Sequence, residues 1–239
     1  MPMTDRAQVL AKLATTLASL DPGRPLTWRI CESARVILGC DGGAITFDYT
    51  SRSRVTVAAT DDISERLEDL QDVLGEGPGA DAFTTGTIVS THLDDAAQDR
   101  WPGFTAAAEE AFGQLAIFAV PMRPNNSVLG VLTVYKTELV PLDATPHSVQ
   151  FLGDAVGATL LRDPQSQTDV DEAGGGSWSS RAPINQAVGM VVAQLAIAPD
   201  DALALLRAHT FAHNTDLLSI AADTIQRRID FSNFNVSGD

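Results

Sequence analysis

The stretches "LAIFAVPM" (115–122) and "LGVLTVYK" (129–136) decide the fold of this chain. Both are apolar and rich in β-branched or aromatic residues, and a short polar segment separates them. Runs of this kind predict a pair of β-strands. Neither is long enough to cross a bilayer, which takes roughly 20 residues, so we assign the pair to the core of a globular domain.

A second pair of strands is predicted in "GGAITFDYTSRSRVTVAAT" (42–60), around a polar turn at Ser51 to Ser53. A short strand is expected near Thr87 to Thr91, after a glycine-rich loop. Apolar residues at helical spacing predict helices over 5–20, 25–38 and 145–161, and a charged helix is expected over 62–73. Helices segregated from an antiparallel sheet form an α+β sandwich, which is the fold class we predict for this domain.

The stretch "RDPQSQTDVDEAGGGSWSSRAP" (162–183) separates this domain from the rest of the chain. It is rich in Gly, Ser, Gln and acidic residues and has too little apolar surface to order itself. We therefore predict a first domain over 1–164, a flexible linker over 165–180 and a small module over 181–239.

The small module is predicted to be an all-α bundle of three helices. The first carries "INQAVGMVVAQ" (184–194), the second begins at Pro199, and the third begins near Thr215. Gly189 falls in the middle of the first helix, where a glycine costs about 1 kcal/mol relative to Ala. The third helix is expected to turn its apolar stripe inward, through Leu218, Ala221, Ala222, Ile225 and Ile229.

The segment "LGEGPGADAFTTGTIVSTHLDDAAQDRWPGF" (74–104), together with the strands that follow it, resembles the GAF family of sensor domains. The resemblance spans about Ala7 to Leu161 and implies a GAF-like sandwich whose sheet and loops enclose a pocket for a small ligand. Related domains often carry a Cys where this chain has Gly79, so no thiol chemistry is expected there. The large residues expected near the pocket, with core packing as the alternative for each, are Phe47, Phe83, Trp101, Phe104 and Phe118.

The C-terminal module resembles the ANTAR family of bacterial transcription antitermination regulators. The similarity runs over about Arg181 to Ile229 and includes Ala187-x-Gly189, "DDALALLR" (200–207) and the helix "LLSIAADTI" (217–225). It implies a three-helix module that binds RNA stem-loops and so allows polymerase to read through a terminator. The residues expected to take part in RNA binding are Arg181, Gln186, Ala187, Gly189, Arg207 and Asn214.

The charge of the chain leaves a second interpretation open. The formal net charge is −15, and residues 181–239 contain no Lys. Acidic balance discourages nonspecific binding to polyanions, and neutralisation of phosphates dominates nucleic-acid affinity. RNA binding would therefore depend on a local patch. The alternative is a ligand-sensing dimerisation or protein-interaction module without RNA activity.

No pattern in the sequence predicts catalysis. Cys31 and Cys40 are too few for a disulfide framework or a zinc site, and they fit buried reduced thiols. His92 precedes an acidic turn but has no second His near it in sequence. We expect no enzyme activity, no metal, no cofactor, no membrane association and a cytoplasmic location. Because a three-helix core is thin, a homodimer is expected to supplement it.

Overall fold

A computed structural model describes residues 3–48, 54–163, 178–213, 215 and 217–231. The chain divides into two compact units, Met1–Ala173 and Gly174–Asp239. Most of the predicted linker, 165–177, lies outside the described residues. In the described part of the chain no helix combines the length and the apolar character that a membrane span needs.

In the described part of the first unit, five strands form one antiparallel sheet in the order β2-β1-β5-β4-β3. Their bounds are β1 Gly42–Asp48, β2 Arg54–Ala59, β3 Val89–His92, β4 Ala116–Met122 and β5 Gly130–Lys136. Strands β1 and β2 pair with each other, as do β4 and β5, so both predicted pairs are confirmed. Strand β3 lies within two residues of the short strand predicted at 87–91.

Three long helices cover one face of the sheet. They are α1 Met3–Ser19, α2 Leu26–Leu38 and α7 Pro146–Arg162, and their apolar stripes form one core with β1, β4 and β5. Helix α7 approaches the sheet closely because it presents glycines there. A Cβ built at Gly153 would lie 2.7 Å from Cγ1 of Val120, so a larger residue would push the helix away.

Four helices cover the opposite face: α3 Asp62–Leu74, α4 Pro78–Thr85, α5 Asp95–Arg100 and α6 Pro102–Phe112. The glycine-rich loop predicted after α3 is confirmed at 75–77 but is shorter than expected, because residues 78–85 are helical. The three shorter helices, α4, α5 and α6, pack largely through small residues such as Ala82, Ala97 and Ala108. They consequently lack the stripe of large apolar side chains by which a helix is identified in sequence.

The edge of β4 is only partly covered by its neighbour. β3 pairs with residues 116–119 of β4 and ends before Pro121. The carbonyl of Pro121 accepts a hydrogen bond of 2.7 Å from Nε2 of Gln150 on α7, and the backbone N–H of Arg123 donates to Oδ1 of Asp154 at 2.9 Å. Side chains from α7 thus take the place of a strand.

The described part of the second unit contains three helices, α8 Trp178–Leu195, α9 Pro199–Ala212 and α10 Leu217–Ile225. Helix α8 begins before Ile184, where the sequence pattern predicts it, and it contains Pro183. The residues ahead of Ile184 carry no apolar stripe, so periodicity could not extend the helix to them.

The predicted stripe of the third helix is confirmed at Ala221, and the side chain of Leu218 lies outside the described residues. Ala222 and Ile225 are only half-buried, and Ile229 lies beyond the end of the helix. The other described side chains of α10 that are buried belong to Leu217, Ile220 and Thr224. Thr224 can be buried because its hydroxyl donates a 2.7 Å hydrogen bond to the carbonyl of Ile220. A pattern of apolar residues cannot predict that such a threonine is buried, because threonine is counted as polar.

Candidate functional site

The loop between α3 and α4 is fixed by its own sequence, Gly-Glu-Gly-Pro-Gly. Gly75 ends α3 with φ 69°, and Gly77 has φ 137°, so both use backbone conformations that favour glycine. Oε1 of Glu76 accepts the backbone N–H of Phe104 at 2.9 Å, which ties the loop to the start of α6. Pro78 opens α4. The loop therefore positions three helices over the sheet.

A group of polar side chains, the polar cluster, lies buried between this loop and the sheet. It consists of Thr46 on β1, Glu68 and Gln71 on α3, and Thr133 on β5, and each is less than 5% exposed. Hydrogen bonds join the first three: Thr46 Oγ1 donates to Glu68 Oε2 at 2.8 Å, and Gln71 Nε2 donates to Glu68 Oε1 at 2.9 Å.

Gln71 connects the polar cluster to the glycine loop. Its Oε1 accepts the backbone N–H of Gly79 at 2.7 Å, while its Nε2 donates a hydrogen bond to Glu68. A Cβ built at Gly77 would lie 2.6 Å from both Cγ and Oε1 of Gln71, so the glycine makes room for the amide. Burial of a carboxylate is costly unless hydrogen bonds compensate it, and the cluster supplies them.

Three buried hydroxyls on this side of the sheet have no hydrogen-bond partner among the described residues. They belong to Thr133 on β5, Thr105 on α6 and Ser64 on α3. A buried polar group without a partner costs about 1–3 kcal/mol, so such groups are uncommon where a core serves packing alone. Each hydroxyl thus keeps a donor that no described residue accepts.

Asp61, Ser64 and Tyr135 extend the polar region toward the start of α3. Oδ1 of Asp61 accepts the backbone N–H of Ser64 at 2.7 Å and caps the helix, while Oδ2 accepts the Tyr135 hydroxyl at 3.3 Å. Burial and the neighbouring Asp61 carboxylate raise the pKa of Tyr135 to about 12. A Cβ at Gly42 would overlap all three side chains, so glycine is needed at this position.

The aromatic residues predicted at the pocket fall on both faces of the sheet. Trp101 and Phe104 are buried with α3 to α6, on the face of the polar cluster, and Phe83 packs against them. Phe47 and Phe118 lie in the core beneath α1, α2 and α7. The structure thus brings three of the five together. Successive side chains of a strand point to opposite faces of the sheet. This alternation could have shown in advance that Phe47 and its neighbour Thr46 lie on different faces.

Sequence reasoning missed the polar cluster altogether. Glu68 and Gln71 belong to a helix that reads as charged and solvent-exposed. One signal was present: Ser64, Glu68 and Gln71 recur at the spacing of one helical face, on the same side as the apolar Leu67. A polar residue on the apolar face of a helix marks a buried polar site.

Both thiols are free and buried, as predicted. Burial raises the pKa of Cys40 to about 12, and burial with neighbouring carboxylates raises that of Cys31 further. Neither is a thiolate near neutral pH, so neither is a nucleophile there. Within the described residues no group of three or more His, Cys, Asp or Glu side chains could hold a metal ion.

In the second unit, the residues predicted to bind RNA differ in accessibility. Gln186 and Gly189 are exposed on α8, Arg207 is half-buried on α9, and Ala187 is fully buried. A Cβ built at Gly189 would meet nothing within 4 Å in the described chain, so internal packing does not require the glycine. Arg181 lies near the start of α8, and Asn214 lies outside the described residues.

Two histidines stack on α9 near Arg207. The rings of His209 and His213 are parallel, with centroids 4.1 Å apart, and Phe231 meets His209 edge-on at 5.4 Å. Burial, and then the charge of His213, lower the pKa of His209.

Comparison with protein-family models matches residues 28–160 to the GAF domain. Among solved structures, the GAF domain of A. aeolicus nlh2 in an inactive state is 16% identical, with a TM-score of 0.46, over 67% of this chain and 98% of that one. The GAF domain of an Acinetobacter phosphoenolpyruvate-protein phosphotransferase is 15% identical, with a TM-score of 0.45, over 74% of this chain and 99% of that one. No curated protein matches the chain.

Proposed function

The chain belongs to the GAF domain family through residues 28–160, and we propose that it is a signal-responsive regulator of transcription antitermination. In this proposal the GAF domain senses a small molecule on the polar-cluster face of its sheet. The C-terminal three-helix module, which resembles ANTAR modules, binds RNA hairpins and carries the output.

The observation that supports small-molecule sensing is the polar cluster with its unpartnered hydroxyls. A domain core serving stability alone would place apolar side chains at Thr46, Glu68 and Thr133, since burying polar groups is costly. A ligand that carries both donors and acceptors would use the hydroxyls of Thr133 and Thr105 and could exchange hydrogen bonds with Glu68. Trp101 and Phe104, on the same face, supply apolar surface.

This sensing proposal is tested by denaturing the full-length chain thermally with and without a panel of nucleobases and short carboxamides. These probes are small and present both donors and acceptors. We expect at least one to raise the melting temperature of the wild type and to lose that effect in Thr133→Val. No shift with any probe at about 10 mM, together with no small molecule released when the purified protein is denatured, would contradict the proposal.

RNA binding is proposed for the exposed side of α8 and for α9. Gly189 supports it, because an exposed mid-helix glycine that the described chain does not need leaves space for an external backbone. Arg207 and Gln186 supply groups that can contact phosphates and bases. Ala187 would act indirectly, by packing α8 against its neighbours. RNA is an acidic partner for an acidic chain, so the interaction should be local and sensitive to salt.

The test of RNA binding uses fluorescence anisotropy of an RNA with two adjacent terminator-type hairpins. Full-length protein, Arg207→Ala and a scrambled RNA are compared at low and high salt. We expect wild-type binding that falls steeply with salt and is lost in the variant. Binding unaffected by salt, or no binding by folded protein, would favour the alternative of an output module that engages a protein partner.

Association of two copies is also proposed. Three exposed apolar side chains, Leu10 on α1, Val36 on α2 and Leu161 on α7, lie on the helices of one face of the sheet. Covering such side chains is favourable, at about 25 cal/mol per Å² of apolar surface. Sedimentation equilibrium should give a dimer mass for the wild type and a lower mass for Leu10→Gln with Val36→Gln. A monomeric wild type would contradict the proposal.

A further inference from the structure

A pocket of about 270 Å³ lies on the side of the sheet opposite the polar cluster. It forms where the first turns of α1, the end of α2 and the start of α7 meet. Its apolar floor is made by Val9, Ile37, Leu38 and Leu152, of which three are buried. None of the polar-cluster residues and none of the five predicted aromatic residues lines it.

The rim of this pocket carries two opposite charges. Lys12 comes from α1 and Asp143 from the segment before α7. Within the part of the chain that the structure describes, neither side chain makes a hydrogen bond or an ion pair, with the other or with anything else. An ammonium and a carboxylate are therefore held at one cavity without neutralising each other.

The start of α7 adds a positive electrostatic end to the rim. Thr145 caps this helix by accepting the backbone N–H of Ser148 at 3.2 Å, and both residues line the pocket. The first turn of α7 contains no acidic residue, and the acidic residue nearest before its cap in sequence is Asp143, which is not paired in the described chain. Anionic groups are stabilised at such an end. A ligand carboxylate placed here would meet both the helix start and the Lys12 ammonium.

We propose that this pocket binds a free α-amino acid with an aliphatic or aromatic side chain. The carboxylate pairs with Lys12 and the start of α7, the ammonium pairs with Asp143, and the side chain lies on the apolar floor. Pockets for drug-sized ligands span roughly 300–1,000 Å³, and this cavity of about 270 Å³ is slightly smaller, which suits a molecule as small as an amino acid. A ligand without net charge also suits a chain of net charge −15, which repels anions.

This site is separate from the polar cluster and does not depend on small-molecule sensing there or on RNA binding, although α1, α2 and α7 also carry the apolar side chains of the proposed dimer surface. Its ligand would touch α1, α2 and α7 together and stabilise their packing. Since α7 is the last helix that the structure describes in the first unit, occupancy would stiffen the described end of that unit.

The experiment is isothermal titration calorimetry of the full-length chain with three related probes. L-leucine carries both charges, 4-methylpentanoate lacks the ammonium, and 3-methylbutylamine lacks the carboxylate. We expect leucine to bind with a Kd near or below about 1 mM. Each of the other probes should bind about tenfold more weakly, because each loses one charged contact.

Variants locate the site. Lys12→Gln and Asp143→Asn should each weaken leucine binding about fivefold, since exposed ion pairs have modest strength. The matched controls Lys136→Gln and Asp99→Asn should bind leucine like the wild type, because neither residue lines the pocket.

Three results would overturn the proposal. The first is no heat from leucine at about 10 mM with a folded chain. The second is equal affinity for leucine and for the two singly charged probes. The third is leucine binding that survives Lys12→Gln and Asp143→Asn but is lost in Thr133→Val, which would place the amino acid at the polar cluster.

Discussion

Gln71 donates a 2.9 Å hydrogen bond to the buried carboxylate of Glu68, one turn earlier on the same helix. The amide is fully buried, and its other end holds the backbone N–H of Gly79. One side chain therefore compensates a buried acid and anchors the glycine loop.

Replacing Gln71 with leucine should be strongly destabilising. The variant leaves the Gly79 N–H and one Glu68 oxygen without that amide, and losing a partner of a buried charged group costs about 3 kcal/mol or more. Urea unfolding of the full-length chain measures the loss. The control is Glu65→Gln on the exposed side of α3, which should change the free energy of unfolding by less than about 0.5 kcal/mol. Similar values for the two variants would contradict the role of Gln71.

Thr46 and Thr133 lie on the same face of the sheet but should respond oppositely to valine. Thr46→Val removes a hydrogen bond to Glu68 and should destabilise the protein by about 1–3 kcal/mol. Thr133→Val replaces a hydroxyl without a partner among the described residues and should stabilise by up to about 1 kcal/mol. Unfolding in urea compares them. A stability loss in Thr133→Val would show that its hydroxyl is already satisfied.

Gly189→Ala should separate stability from RNA binding. The position is exposed and has open space, so alanine should stabilise α8 by about 0.5–1 kcal/mol. If RNA approaches the backbone at Gly189, the same methyl group should weaken hairpin binding in anisotropy titrations. Ala204→Ser, at an exposed position of α9, serves as the binding control. RNA binding unchanged in Gly189→Ala would remove this glycine from the interface.

Stability should fall at alkaline pH partly because of Tyr135. The ordinary pKa of its hydroxyl is 10.0, and in the folded chain it is raised to about 12. Between these values the unfolded chain has released a proton that the folded chain still holds, so the free energy of unfolding decreases as the pH rises. Below the lower value this group contributes no pH dependence.

The ultraviolet absorbance of phenolate tests this titration directly. The chain has two tyrosines, and the wild type should show a phase near pH 12 that is missing from Tyr135→Phe. The variant should also lose stability less steeply between pH 10 and 12. An unchanged absorbance titration in Tyr135→Phe would contradict the assignment.

The large elements of the GAF domain could be predicted from sequence because their residues follow a clear period. Strands β1, β2, β4 and β5 and helices α1, α2, α3 and α7 all show it. Helices α4 to α6 were missed, since they are short and bury mostly small residues, with Phe104 of α6 as a single large one, so no stripe of large side chains marks them. In α10 the predicted stripe included Ala221 correctly but omitted Thr224, which is buried through a hydrogen bond within its own helix.

The candidate site was harder to predict than the fold. Aromatic residues were grouped by size, although Phe47 and Trp101 lie on opposite faces of the sheet. The polar cluster was not predicted because a glutamate on a charged helix is expected at the surface. Only the structure shows which residues surround Glu68. The sequence shows the glycines of the loop but not why glycine is required there. Gly77 makes room for the side chain of Gln71, six residues earlier in the chain.

Pro121 limits how the edge of β4 can pair with a strand of another protein molecule at high concentration. The uncovered end of β4 would otherwise offer unpaired backbone groups to a passing strand and invite aggregation. Proline has no N–H to donate, and its carbonyl is already occupied by Gln150. This stretch of the β4 edge is thus closed to pairing with a further strand.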